Sequence, residues 1–111
     1  MNAIIDEGVP LRLVRLLRDI GHDVSRFPST WKGLKNGQLL AQLEDAGFTC
    51  LITCDRSLRF QQNLARSKLS LIVLPAQRFP DLVPYQTQIA EAFLSAEAGK
   101  VLVVARAGRS G

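Results

Sequence analysis

The stretch Ala3-Ile4-Ile5-Asp6-Glu7-Gly8-Val9-Pro10 decides how the rest of the chain is read. Its apolar residues Ala3 to Ile5 suit a short buried strand, and that strand ends in two adjacent carboxylates. Gly8 then lets the backbone turn, and Pro10 fits the first turn of a helix, where its missing N–H costs little. In an open α/β sheet, ligands bind just beyond the carboxyl ends of the strands. An acidic pair at that position is placed for chemistry rather than for packing.

Outward from this stretch the pattern repeats. Leu13, Val14, Leu16, Leu17 and Ile20 recur at helical spacing and predict one apolar face, which Gly21 stops. Arg12, Arg15 and Arg18 fall on the other side as a basic stripe, in the first instance a solvated helix face. His22 to Phe27 predicts a second strand around Val24. Pro28 to Gly33 reads as a loop whose Trp31 is a lid packed on the domain edge or, as the second choice, a base-stacking platform. Asn36 stands where a helix N-cap belongs, with Leu39, Leu40, Leu43 and Ala46 facing inward and Gly47 ending the helix.

Phe48 to Thr53 is apolar on both faces, as a strand inside a parallel sheet requires, and it runs into Cys54-Asp55-Arg56-Ser57. Ser57 or Asp55 suits the cap of a helix through Gln61, Gln62 and Asn63. Leu69 to Leu74 predicts a fourth strand that Pro75 terminates. Pro80 and Pro84 bracket a connection into a last helix with Ile89, Ala92 and Phe93 inward. Lys100 to Ala105 suits a fifth strand. Strands separated by helices imply βαβ units. The expectation is an α/β fold: a three-layer α/β/α sandwich with a mostly parallel central sheet of four or five strands and right-handed crossovers. One domain is expected over 1–106, with 107–111 a flexible end.

Composition narrows the function classes. The chain has 111 residues, 47% hydrophobic and 22% charged, which suits one globular domain rather than a disordered segment. No run approaches the roughly 18 apolar residues of a membrane span, and no leader pattern opens the chain. A cytoplasmic location without membrane association is the expectation. The net charge of +4, carried mostly by arginine, favours an anionic partner. Cys50 and Cys54 are too close along one strand for an easy disulfide and read as packed thiols. One histidine and no CxxC motif leave zinc little support.

If the first strand and the third or fourth are neighbours at the sheet centre, Asp6, Glu7 and Asp55 converge at one end. Two carboxylates 4 Å apart repel by about 4 kcal/mol at an effective dielectric near 20, so such a cluster needs a cation or a proton. Oxygen ligands of this kind suit magnesium or manganese, which can activate water and stabilise a phosphodiester in reaction. Lys35 and Asn36 add a cation and an amide at a helix N-terminus, a place that favours anions. Arg56 suits a phosphate contact, and of the neighbouring amides Gln62 and Asn63 one or two would reach the mouth. For any single acid after a strand, a helix cap is the plainer role.

The segments Ile5-Asp6-Glu7-Gly8-Val9-Pro10 and Leu16-Leu17-Arg18-Asp19-Ile20-Gly21-His22-Asp23-Val24 resemble the opening of the bacterial PIN-like nuclease family related to VapC-type toxins and to the Mut7-C domain. Trp31 to Leu40 and Thr53-Cys54-Asp55-Arg56-Ser57-Leu58, followed by Gln61-Gln62-Asn63-Leu64, are similar to one branch of it. The resemblance implies a magnesium- or manganese-dependent ribonuclease, working as the toxin of a toxin–antitoxin pair. It makes Asp6 the first-strand metal ligand, Glu7 the acid beside it and Asp55 the acid after the third strand. RNA is the implied substrate, with an antitoxin protein and a second copy of the chain as further partners. The chain departs from the pattern at Lys35 to Gln38, where many relatives carry an acid, and at Ser57, where many carry a second aspartate. The alternative expectation is a PIN-like module that binds RNA or an antitoxin with little or no cutting. A phosphoacceptor receiver-like domain also shares the placing of the acids, but it needs a lysine at the end of a late strand, and Lys100 begins one.

Overall fold

The computed structural model describes residues 2–55 and 64–104. Among these, five strands form one sheet, β1 (Asn2–Ile5), β2 (Asp23–Ser25), β3 (Cys50–Thr53), β4 (Ser70–Val73) and β5 (Val101–Val103), in the order β2-β1-β3-β4-β5. Every pairing is parallel. Helices α1 (Leu11–Asp19), α2 (Asn36–Asp45), α3 (Phe79–Leu82) and α4 (Gln86–Ser95) cover the two faces. The expected three-layer α/β/α architecture with a parallel sheet is present. No helix among the described residues is long and apolar enough to cross a membrane.

The layers follow from side-chain alternation along each strand. Ala3, Ile5, Cys50, Ile52 and Ile72 point to one face, where they pack with Leu13, Val14 and Leu17 of α1, Leu82 of α3, and Ile89 and Phe93 of α4. Ile4, Leu51, Leu71 and Val73 point to the other, against Leu39, Leu40 and Leu43 of α2 and Leu64. All four residues of β3 are buried, and likewise all four of β4, as strands covered on both faces must be.

Both α1 and α2 end in the same way. Gly21 and Gly47 take the left-handed conformation, with φ of 95° and 88°. At each end the glycine and the next residue donate to carbonyls of the last turn: Gly21 to Arg18 and His22 to Leu17, Gly47 to Glu44 and Phe48 to Leu43. These are Schellman closures, which satisfy otherwise orphaned carbonyls and need a residue without a Cβ penalty.

The structure departs from the sequence pattern in several places. Ile20 is 45% exposed beyond the end of α1, and Ala46 lies exposed at the cap of α2, so neither joins the core. Lys35, not Asn36, is the N-cap of α2, and its N–H donates to Gln38 Oε1 at 3.2 Å. The stretch around Pro80 and Pro84 is itself helical, as α3 and a 3₁₀ turn at Val83–Tyr85. The third-helix capping assigned to Ser57 and the amides after it falls outside the described residues, as does the end at 107–111.

The crossovers are not all of one hand. The β1–β2 connection carries α1 over one face, and β2–β3 returns in the opposite direction over the other face with α2, so these two agree. The β4–β5 connection travels in the direction of β2–β3 yet lays α3 and α4 on the α1 face, which makes it opposite in hand. Apolar burial accounts for this. Among the described elements, α1 alone would leave Cys50, Ile52, Ile72 and Leu74 uncovered, and Leu82, Ile89 and Phe93 pack with them. Stacking of His22 on Phe93 at 4.4 Å and of the Arg12 guanidinium over Phe79 at 4.5 Å ties the two helical units side by side.

Candidate active site

The strand order reverses at β1 and β3, because β1 leads first to β2 on one side and the chain returns to β3 on the other. Such a switch point opens a crevice beyond the carboxyl ends of the two strands. Ile5 pairs with Ile52, so the residues that follow, Asp6 and Thr53, come level at that edge. The Asp6 N–H still donates to the Ile52 carbonyl at 2.7 Å, which extends the sheet into the site.

A cleft of about 440 Å³ opens there, lined by Asp6, Glu7 and Gly8 after β1, Thr53, Cys54 and Asp55 at the end of β3, and Gln77 after β4. The three acids singled out from the sequence therefore share one cleft. Their environments differ. Asp6 is only 5% exposed, Asp55 is half-buried and Glu7 is exposed.

Asp6 is held from two sides. Its Oδ1 accepts the Glu7 N–H at 3.0 Å, and its Oδ2 accepts the Thr53 hydroxyl at 3.0 Å. The Thr53 Oγ1 in turn accepts the Asp55 N–H at 3.1 Å. One buried hydroxyl thus links the two acid-bearing strand ends and fixes the Asp6 carboxylate. A charge taken out of water needs such donors, since burial without them costs several kcal/mol.

Cys54 sits between these groups and remains a protonated thiol. Burial, and then the negative charge of Asp6, push it up to about 11. Its Sγ donates to the Ala76 carbonyl at 3.1 Å. The cleft consequently presents carboxylate, hydroxyl and amide oxygens but no thiolate.

Among the described residues, no three His, Cys, Asp or Glu side chains form a group able to hold a metal ion by themselves. Magnesium commonly needs only one or two carboxylates, with water and phosphate oxygens filling its remaining positions. Asp6 and Asp55 line one cleft and are the residues that could hold such an ion, with Glu7 at the rim, and their carboxylate oxygens suit a hard cation.

Other candidates fall elsewhere. Lys35 is exposed and does not line the cleft, and Asn36 opens α2 as its first helical residue. Arg56, Gln62 and Asn63 lie outside the described residues. In the arginine stripe, Arg12 packs on Phe79 and the Arg18 Nε donates to the Val24 carbonyl at 2.8 Å. Trp31 meets Phe27 and Phe48 edge-on at 6.4 and 6.3 Å, as a lid on the α2 face. Thr53, Gln77 and Lys32 are site residues that the sequence pattern does not single out. Lys32 lines a second cavity that shares Asp6 and Glu7 with the cleft. For Thr53 a signal existed, a polar residue closing an apolar strand; Gln77 and Lys32 come from loops whose course no local pattern reveals.

The strand order is also that of receiver domains. However, β5 ends in Val103 and Val104, with Lys100 at its opposite end, and β4 runs into Leu74 and Pro75. The lysine such a domain needs is at neither strand end. No protein-family model, curated protein or solved structure matches the chain.

Proposed function

We propose that the chain is a magnesium- or manganese-dependent endoribonuclease whose site is the cleft at the carboxyl ends of β1 and β3. The observation that carries this reading is the convergence of Asp6, Glu7 and Asp55 on one cleft at the switch point of the sheet. The net charge of +4 supports a polyanionic substrate, and the resemblance to PIN-like nucleases supports RNA.

In this reading Asp6 and Asp55 hold the ion, and Thr53 keeps Asp6 in the orientation that binding requires. A divalent ion bound there would lower the pKa of a water and neutralise charge that builds on the phosphoryl oxygens. Glu7, the exposed acid, takes the proton from the attacking water. Gln77 donates to a phosphate oxygen, and Lys32 adds positive charge on the far side of Glu7. The resemblance to VapC-type toxins narrows the role to the toxin of a toxin–antitoxin pair. It adds an acidic antitoxin partner suited to the basic chain, a self-paired form and a cytoplasmic location.

The test is incubation of the purified protein with single-stranded RNA and magnesium or manganese beside Asp6→Asn. Cleavage by the parent that falls about 100-fold or more in the variant is the expected result. Equal cleavage by both, or none under any ion, overturns the proposal. RNA binding without cutting would replace the nuclease with a binding module.

A further inference from the structure

A second cavity, of about 230 Å³, lies on the other side of the Asp6–Glu7 turn and shares both acids with the cleft. The rest of its lining is different in kind. Ile5 and Val9 form buried apolar walls, Leu11 and Phe27 add an aliphatic and an aromatic surface, and Lys32 is its cation. Phe27 is braced edge-on by Trp31 at 6.4 Å, so its ring is a firm wall rather than a loose one. Leu11, the first residue of α1, is 57% exposed, an unusual place for a large apolar side chain on a helix whose other leucines are buried or half-buried.

We propose that this cavity is a base-binding subsite, which takes one unstacked base of a single-stranded nucleic acid while the adjoining phosphodiester enters the acid-lined cleft. The inference rests on the nuclease reading of the cleft and adds to it how the strand is gripped. The apolar part of the cavity, with its aromatic wall, matches the flat faces of a base, and the exposed lysine matches the phosphate. Single strands are recognised in this way, by unstacked bases on aromatic surfaces beside cations that track the backbone. An acidic peptide would also meet Lys32, but Asp6 and Glu7 in the same wall disfavour its carboxylates, whereas a strand brings its phosphodiester to the ion that the nuclease reading places in the cleft. The shared wall of Asp6 and Glu7 places the two openings one beside the other, as consecutive parts of one strand require.

The experiment reads binding apart from cutting. The full chain is titrated, with calcium in place of magnesium or manganese so that the acids hold a cation, into a short fluorescent single-stranded RNA, and then into versions of it that each lack one base. The variants are Leu11→Glu, whose acid at a helix start is well tolerated, and Leu94→Glu, the same charge change at an 84% exposed position of α4. Circular dichroism confirms that both fold.

Leu11→Glu is expected to weaken binding about tenfold, within the range for loss of one stacked base, and Leu94→Glu at most about twofold. Removal of one particular base should weaken the parent by a similar factor and leave Leu11→Glu unaffected. Equal weakening by the two variants, a flat response to base removal, or no RNA binding at all overturns the subsite. If the base response is flat while Asp6-dependent cleavage persists, the subsite fails and the nuclease stands. If the base response appears but no ion supports cutting, the subsite stands and the nuclease fails.

Discussion

At the amino ends of β1 and β3, the Asn2 N–H donates to Thr49 Oγ1 at 3.2 Å, the Thr49 hydroxyl returns to the Asn2 carbonyl at 3.3 Å, and Asn2 Nδ2 reaches the Gly47 carbonyl at 3.2 Å. At the carboxyl ends of the same strands, Thr53 and Asp6 also bond each other, at 3.0 Å. The first set is at the surface, with Thr49 exposed. The second is buried, Thr53 at 1% and Asp6 at 5%, yet borders a cleft of about 440 Å³. Water can replace the surface bonds at little cost, so they tie the two strand starts together and contribute modestly. It cannot easily replace the buried ones, so they hold a carboxylate in one orientation at the mouth. The same sheet thus has an end tied at the surface and an end with a buried, fixed carboxylate, which is the one proposed to be reactive.

The largest test of this contrast is Asp6→Asn, which should cost about 100-fold or more in RNA cleavage while leaving the fold intact. Thr53→Val comes next. Removing the hydroxyl that Asp6 Oδ2 accepts should lower cleavage about tenfold, as for groups that orient a metal ligand, and stability by about 2 kcal/mol. Thr53→Ser, which keeps the hydroxyl, should recover most of both. If Thr53→Val cuts at the parent rate, Thr53 does not position Asp6.

The two thiols offer a probe at each end. Cys50 opens β3 and Cys54 lies just past it, and both are pushed up to about 11, Cys50 by burial and Cys54 by burial and then the charge of Asp6. Because folding favours the protonated thiols, this part of stability is intact below the ordinary value of 9.0 and is lost as pH rises through about 11. Urea unfolding across that interval should show the decline, less steep in a Cys50→Ala, Cys54→Ala double variant. In Asp6→Asn, alkylation of Cys54 should begin at lower pH while that of Cys50 is unmoved. Equal movement of both would mean that the Asp6 charge is not local to the cleft end.

The smallest effect is expected at the end tied at the surface. Thr49→Val removes exposed bonds and should cost about 0.5–1 kcal/mol in thermal unfolding, with cleavage unchanged. A tenfold loss of cleavage there would erase the distinction between the two ends.

Much of this is legible along the chain. The continuous apolar run Cys50 to Ile52 announces a strand covered on both faces, and Gly21 and Gly47 mark the helix ends because the closing turn there needs a left-handed residue. Asp6, Glu7 and Asp55 are visible as acids after strands. Local pattern misjudges Ile20 and Ala46, whose apolar character suggests burial although the helix has already ended. Thr53 shows along the chain only as a polar residue closing an apolar strand, and what its hydroxyl holds is not legible until its neighbour across the sheet is known.

By itself, then, the sequence determined the α/β class, the parallel sheet and the placing of three acids beyond strand ends, since these depend on periodicity and on residues that start or stop elements. Only the tertiary structure decided the strand order that sets β1 beside β3, the side on which α3 and α4 pack, and the buried hydroxyl that joins Asp6 to Asp55. Those depend on contacts between residues far apart in the chain, such as the 47 positions that separate Asp6 from Thr53. The opposite hand of the last crossover has the same origin: burial of the whole face outweighs the preference of a single βαβ unit.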